Sequence, residues 1–302
     1  MKDTRMLTKY RNGNYAVMMG YDGTKIRLCS EGTYKPKFPE VVELRVTNRC
    51  DVGCPYCYDN ASPNGLHGDI LNDSFIKSIP KGVEVEISGG NPMTHPNLCE
   101  LITTLHSNGC PVCLVLNQKH FMDNYDAVEF LCENDFVYRV KASSNEPTPE
   151  FISAVKRIDR VFVSVITGVI NRPMLERLYD KQIKLFICGY RKFRRGATYY
   201  LGDVGVLLDA RTQWLSDSFD DIVKHFDVVE LDRNAVKMLV QDTSSISDAV
   251  NMLGKEGEFN MFVDCVGKKF GSDVSAHLEK YDHTKDTIFD MFNKIQEVHC
   301  NV

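Results

Sequence analysis

Residues 40–57, EVVELRVTNRCDVGCPYC, decide how this chain is read. Val42, Leu44 and Val46 alternate with Glu43, Arg45 and Thr47, the period-two pattern of a strand with one apolar and one polar face. Cys50, Cys54 and Cys57 follow at once, spaced Cys-x3-Cys-x2-Cys. A structural zinc site wants four protein ligands, and disulfides want cysteines in pairs in an oxidising compartment. Three thiols on one loop satisfy neither, unless a distant His67 or His95 completes a zinc site.

Working outward, strand and helix patterns alternate. Strands are expected at 40–47, 83–88, 111–117, 136–142, 160–166 and 184–189, with helices near 71–79, 97–108, 121–133, 149–157 and 172–181. Six such units imply parallel strands with helices packed outside. Strands buried on both faces read as continuous apolar runs, yet Glu84, Glu86 and Ser88 alternate with Val83, Val85 and Ile87, and Arg139 and Lys141 repeat the pattern. The polar faces point to a curled sheet with a charged lumen. Charges near the strand starts are expected to pair on the barrel floor, with Ser88 and Lys141 nearer the functional end. The cysteine loop follows the C-terminal end of the first strand, where such folds bind ligands.

These features resemble the radical S-adenosylmethionine (SAM) enzyme superfamily, whose signature is this three-cysteine loop after the first strand of a six-unit partial barrel. The resemblance implies an α/β fold: a partial (β/α)6 barrel of parallel strands with a small N-terminal β-hairpin and a C-terminal α/β extension. It implies a 4Fe-4S cluster held by Cys50, Cys54 and Cys57, one iron left open for SAM, and reductive cleavage of SAM to a 5′-deoxyadenosyl radical. The segment ISGGNPMTHP (87–96) is similar to the family's Gly-Gly-Glu-Pro segment, so Gly89, Gly90 and Asn91 are carried over as contacts of SAM's amino group, with Asn91 replacing the acid. Tyr56 matches an aromatic position near adenine, and Ser143 and Ser144 resemble ribose-contacting positions. The pattern near the fifth strand is only faintly echoed in SVITGVINRPMLE (164–176), and nothing is carried over from it.

GYRKFRRG (189–196) places Arg191, Lys192, Arg194 and Arg195 after the sixth strand. Guanidinium groups grip carboxylates bidentately, and Arg194 and Arg195 are the preferred candidates for the SAM carboxylate or an anionic substrate. Asn117, Gln118 and His120, ending the third strand, are further candidates. Cys110 and Cys113 could pass for a redox dithiol but sit in an apolar strand, which suits packing. Cys265 and Cys300 are too few for a second cluster, so no auxiliary-cluster domain is evident.

The division expected is 1–39 as hairpin and linker, 40–196 as the radical SAM core, and 197–302 as an extension that caps the barrel and sets specificity. The tail is expected to hold an amphipathic helix at 212–226, a strand at 227–232, two β runs within 259–274 and a final helix near 284–298. The 302 residues, 43% of them hydrophobic, suffice for one substantial core. A net charge of −5 argues against a nucleic-acid partner, and no apolar run is long enough to cross a bilayer. A cytoplasmic enzyme served by a flavodoxin- or ferredoxin-like electron donor is expected, acting on a small molecule or nucleotide. The alternatives are a peptide-modifying maturase, a glycyl-radical activase, and a non-catalytic zinc or iron-sulfur protein.

Overall fold

The computed structural model describes residues 5–30, 32–239 and 254–300. The chain opens with an antiparallel sheet of β1 (Met6–Asn12), β2 (Tyr15–Gly20) and β3 (Lys25–Cys29). This is one strand more than the expected hairpin, and it lies across the starts of the barrel strands. Lys25 reaches Glu84 at 3.3 Å, and the Arg27 Nε reaches Glu40 at 2.7 Å.

The main sheet follows the expected alternation: β4 (Val41–Thr47), β5 (Glu84–Gly89), β6 (Val112–Asn117), β7 (Arg139–Ser143), β8 (Val161–Ile166) and β9 (Lys184–Cys188). Each strand pairs in parallel with the next. The extension then adds β10 (Val228–Leu231) parallel to β9 and β11 (Asn260–Asp264) parallel to β4. Two short antiparallel strands, β12 (Lys269–Gly271) and β13 (Glu279–Lys280), complete the order β10-β9-β8-β7-β6-β5-β4-β11-β12-β13. The six-strand core is therefore widened at both edges. Between β10 and β11 a side chain spans the seam, as Arg233 Nη2 donates to Asn260 Oδ1 at 3.4 Å.

The alternation explains the layering. Val42, Leu44, Val46, Val85 and Ile87 are fully buried against the outer helices, while the intervening charged residues turn inward. Helix starts follow local capping: Asn117, Thr148 and Asn171 accept backbone N–H groups at the starts of helices Gln118–Asp123, Pro149–Val155 and Arg172–Glu176. The expected helix at 121–133 is two helices, because Asn124 leaves helical geometry between Gln118–Asp123 and Tyr125–Glu133. The fourth barrel strand starts at Arg139 rather than 136, after a left-handed Asp135 that turns the chain out of the preceding helix. In the tail the long helix is Asp203–Asp217, begun by Gly202 at φ 64° and ended at Ser218, so it starts nine residues before its expected position. The final helix is Ile288–Cys300.

Cys113 is fully buried and Cys110 nearly so, which makes them packing residues. No helix among the described residues is long and apolar enough to cross a membrane.

Candidate functional site

The loop after β4 is folded back on its own continuation. The Ser62 N–H donates to the Asn48 carbonyl and the Asn48 N–H to the Leu66 carbonyl, both at 3.0 Å, and the Cys50 N–H donates to the Ser62 carbonyl at 2.9 Å. Gly53, at φ 70°, makes the turn between the first two cysteines. Cys50, Cys54 and Cys57 are free thiols and half-buried. Burial pushes the Cys50 and Cys54 thiols up, and the neighbouring cysteines add to the shift in both cases. A bound cation would reverse that effect, since metal ligation requires thiolates. Among the described residues, one trio of possible ligand atoms lies within 4.8 Å of one another, and it is Cys50, Asp51 and His120. The three cysteines do not converge that tightly. A single zinc would need them to, whereas a polynuclear cluster gives each thiolate its own iron and spreads the sulfurs.

The zinc reading through a distant histidine finds no support. His95 uses both ring nitrogens within the fold, contacting the Gly68 carbonyl at 2.9 Å and accepting the Asn97 N–H at 3.1 Å. His67 contacts the Thr47 hydroxyl at 2.9 Å and packs edge-on against His95.

Asp51 is gripped from the end of β6. Lys119 Nζ lies 2.8 Å from one carboxylate oxygen and His120 Nε2 lies 2.8 Å from the other. These bonds, Lys119's first, hold the Asp51 carboxyl well below the usual range. His120, which the sequence suggested as facing substrate, is almost completely buried and steadies the cysteine loop instead. Neighbouring Asn117 caps its helix, and Gln118 accepts the Ser144 hydroxyl at 2.6 Å.

The Gly-Gly-Asn segment runs alongside the same loop. Gly90 N–H donates to the Thr47 carbonyl and Asn91 N–H to the Arg49 carbonyl, both at 2.7 Å. A Cβ on Gly90 would strike the Arg49 carbonyl oxygen, and one on Gly89, at φ 124°, would strike that of Thr47. The glycines thus permit close approach of two strand-end segments of this chain, where the sequence alone suggested approach to a ligand. The Asn91 side-chain carbonyl already accepts the Met93 N–H at 3.1 Å.

Arg194 and Arg195 are committed elsewhere than the sequence suggested. Arg194 donates to the Asp59 carbonyl at 2.9 Å and Arg195 to the Ala61 carbonyl at 2.6 Å, which ties the segment after β9 to the cysteine loop. The Lys192 ammonium sits over the Tyr200 ring at 3.5 Å. Tyr56 accepts from Asn145 at 3.2 Å, and burial, aided by Cys54, pushes its phenol up to about 12. Ser144 is buried, and Ser143 faces the lumen. The Ser88 hydroxyl donates to the Leu44 carbonyl at 3.3 Å, a strand-to-strand bond rather than a free functional group.

Behind the cysteine loop lies a cavity of about 620 Å³ that runs down the barrel interior from Tyr56, Tyr58 and Arg191 to Gly23, Lys25 and Arg27 of the N-terminal sheet. Its walls carry layered charges. At the floor, Arg139 forms a bidentate pair with Glu230 at 2.7 and 3.0 Å, and Tyr138 and Lys25 bond Glu84. Electrostatic pull from Lys25, Arg139 and Lys141 outweighs burial and holds the Glu84 carboxyl down at about 2. Above it Lys141 pairs with Glu86, and nearer the mouth Arg191 pairs with Asp273. Arg45 joins three segments by bonding Asp59 at 3.3 Å and Asp264 of β11. Structural ion pairing at the floor matches the sequence reading. Asp51, Asp59, Asp273 and Glu230 were missed, because nothing local in the sequence marks which distant strand a carboxylate will face.

Comparison with known proteins points the same way as the loop. The chain is 32% identical over 76 residues to 7,8-dihydro-6-hydroxymethylpterin dimethyltransferase of Methanocaldococcus jannaschii, covering 23% of this chain and 15% of that one. It is 32% identical over 79 residues to PqqA peptide cyclase of Ruegeria pomeroyi, covering 24% and 20% respectively. The resemblance to radical SAM enzymes is borne out. No family model matches. Among solved structures, Streptococcus suis SuiB bound to S-adenosylmethionine aligns with a TM-score of 0.63 at 10% identity, over 98% of this chain and 89% of that one. SuiB bound to its precursor peptide SuiA aligns at 0.60 and 10% identity, over 94% and 86%. The structural likeness establishes the fold. The chain spans a fifth or less of the length of the two curated relatives.

Proposed function

We propose that this chain is a radical SAM enzyme acting on a group held in its charged lumen. The observation that carries this reading is the trio of half-buried thiols on one loop at the C-terminal end of β4, beside the Gly-Gly-Asn segment and above the cavity. The donor set fits a 4Fe-4S cluster: three thiols of one loop, too widely spaced for a single ion, with no fourth cysteine on that loop. Cluster and SAM, when bound, supply one-electron cleavage of SAM to methionine and a 5′-deoxyadenosyl radical able to take hydrogen from a substrate.

The chain's own residues do the remainder. Cys50, Cys54 and Cys57 hold the cluster, while Asp51, locked by Lys119 and His120, fixes the start of their loop. Gly89, Gly90 and Asn91 form the edge for SAM's amino group, and Tyr56, Ser143 and Ser144 flank the adenosine side. Arg194 and Arg195 each bind a carbonyl of the cysteine loop, and through those bonds they position the loop at the site. The barrel walls keep bulk water from the reacting group and orient it. A flavodoxin- or ferredoxin-like donor supplies the electron, and the charge balance favours no nucleic-acid partner.

A small molecule or nucleotide that fits the cavity is the first substrate reading. A peptide presenting one side chain is the second, favoured by the similarity to PqqA peptide cyclase and to SuiB captured with SuiA. The test is anaerobic reconstitution with iron and sulfide, then dithionite and SAM. A brown protein that releases 5′-deoxyadenosine and methionine is expected, and alanine at Cys50, Cys54 and Cys57 abolishes colour and products. Undiminished cleavage by that triple variant refutes the assignment.

A further inference from the structure

Among the carboxylates facing the cavity, Glu43 stands apart. Lys141 holds Glu86, Arg139 holds Glu230 and Arg191 holds Asp273, while Asp232 accepts the backbone N–H groups of Gly189 and Ala235 at 2.9 and 2.7 Å. Glu43, midway along β4, makes no hydrogen bond or ion pair with any described residue. The exposure it retains is to the cavity it lines. Register sets it beside Glu86 of β5, so its closest counterpart across the sheet has the same sign and already owns the local cation.

A carboxyl left without a partner in a low-dielectric wall is costly, and structures keep one where a ligand completes it. Burial first, opposed by Arg191 and reinforced by Glu86, Asp273 and Asp59, raises Glu43 to about 8. Arg191 is the cation that acts most on Glu43, but its hydrogen bond goes to Asp273, so no cation among the described residues touches Glu43 itself. An anionic ligand group would have to separate Lys141, Arg139 or Arg191 from an existing partner, whereas a cation can replace the proton that burial leaves on Glu43.

We infer that Glu43 receives a cationic group of the substrate, an ammonium or guanidinium, and so fixes how deep the substrate enters the barrel. This rests on the proposed reading that the cavity is the substrate site, and it narrows the substrate class to molecules or side chains with a positive end. Hydrogen would then be taken from a carbon on the cysteine-loop side of that end.

The test is calorimetric titration of this chain with n-butylguanidinium, with 1-butanol and butyrate as matched neutral and anionic probes. The guanidinium is expected to bind wild type about tenfold or more tighter than Glu43→Gln, in line with loss of a charge-assisted hydrogen bond. Glu43→Asp should recover part of the affinity, and circular dichroism should show both variants folded. Equal guanidinium affinity in wild type and Glu43→Gln, absence of guanidinium binding to wild type, or preference for butyrate overturns the inference. Probe binding needs neither cluster nor SAM, so repeating the titration on the Cys50, Cys54 and Cys57 triple-alanine chain separates failure here from failure of the radical reading.

Discussion

Arg45→Met tests the buried network that joins the cysteine loop to the adjacent strands β4 and β11. Arg45 lies on β4, its guanidinium bonds Asp59 two residues beyond Cys57, and it bonds Asp264 on β11. All three side chains are at most 7% exposed, so solvent screens them little. Removing the cation strands two buried carboxylates, and such a break costs about 3–5 kcal/mol. For a chain of this size that corresponds to a fall in Tm on the order of 10 °C. Asp59 adds a pH signature. Its carboxyl is already raised because burial exceeds the pull of Arg45, and losing Arg45 raises it further. A raised folded-state pKa means stability is lost as pH rises, so the variant's deficit is smallest in acid, where Asp59 is protonated, and grows toward neutrality. Asp59→Asn added to Arg45→Met should restore at least about 1 kcal/mol by removing one stranded charge. Denaturant unfolding of wild type, single and double variants between pH 5 and 8, with iron content of the reconstituted proteins, provides the assay. A deficit under about 1 kcal/mol, or one independent of pH, refutes the reasoning that this network is held by charge.

Three further perturbations address neighbouring features. Folded Glu43 keeps its proton over a range from 4.5 to about 8 in which the unfolded chain has lost it. Wild-type stability therefore declines across that window relative to Glu43→Gln, and parallel pH profiles from chemical denaturation would contradict this. Gly90→Ala drives a methyl into the Arg49 carbonyl oxygen and should destabilise by about 1–3 kcal/mol while lowering iron incorporation; a wild-type melting curve with full iron would count against it. Asp51→Ala removes the carboxylate that exposed Lys119 and buried His120 share, so chelator-driven iron loss should accelerate because the loop loses its tether. Unchanged iron release kinetics would show that the tether does not matter.

Local signals carried most of the fold. Alternation in β4 and β5 exposed the polar lumen because side-chain direction in a strand is set residue by residue, and the three-cysteine spacing is readable without any tertiary knowledge. What escaped was pairing across distance. Arg194 and Arg195 look like free anion grips in sequence, but the chain folds two loop carbonyls onto them. His120 looks like a lumen residue, but the helix it enters turns it toward Asp51. The added strands β10 and β11 were legible as β-prone segments, yet their places on opposite sides of the six-strand core depend on pairing between segments far apart in sequence.

The N-terminal sheet also gives the cavity two unlike ends. Lys25 and Arg27 of that sheet line one end of the cavity under the strand starts, and Tyr56 and Tyr58 of the cysteine loop line the other. A group lying in this space meets the cations and carboxylates of the strand starts at one end and the tyrosines of the cysteine loop at the other.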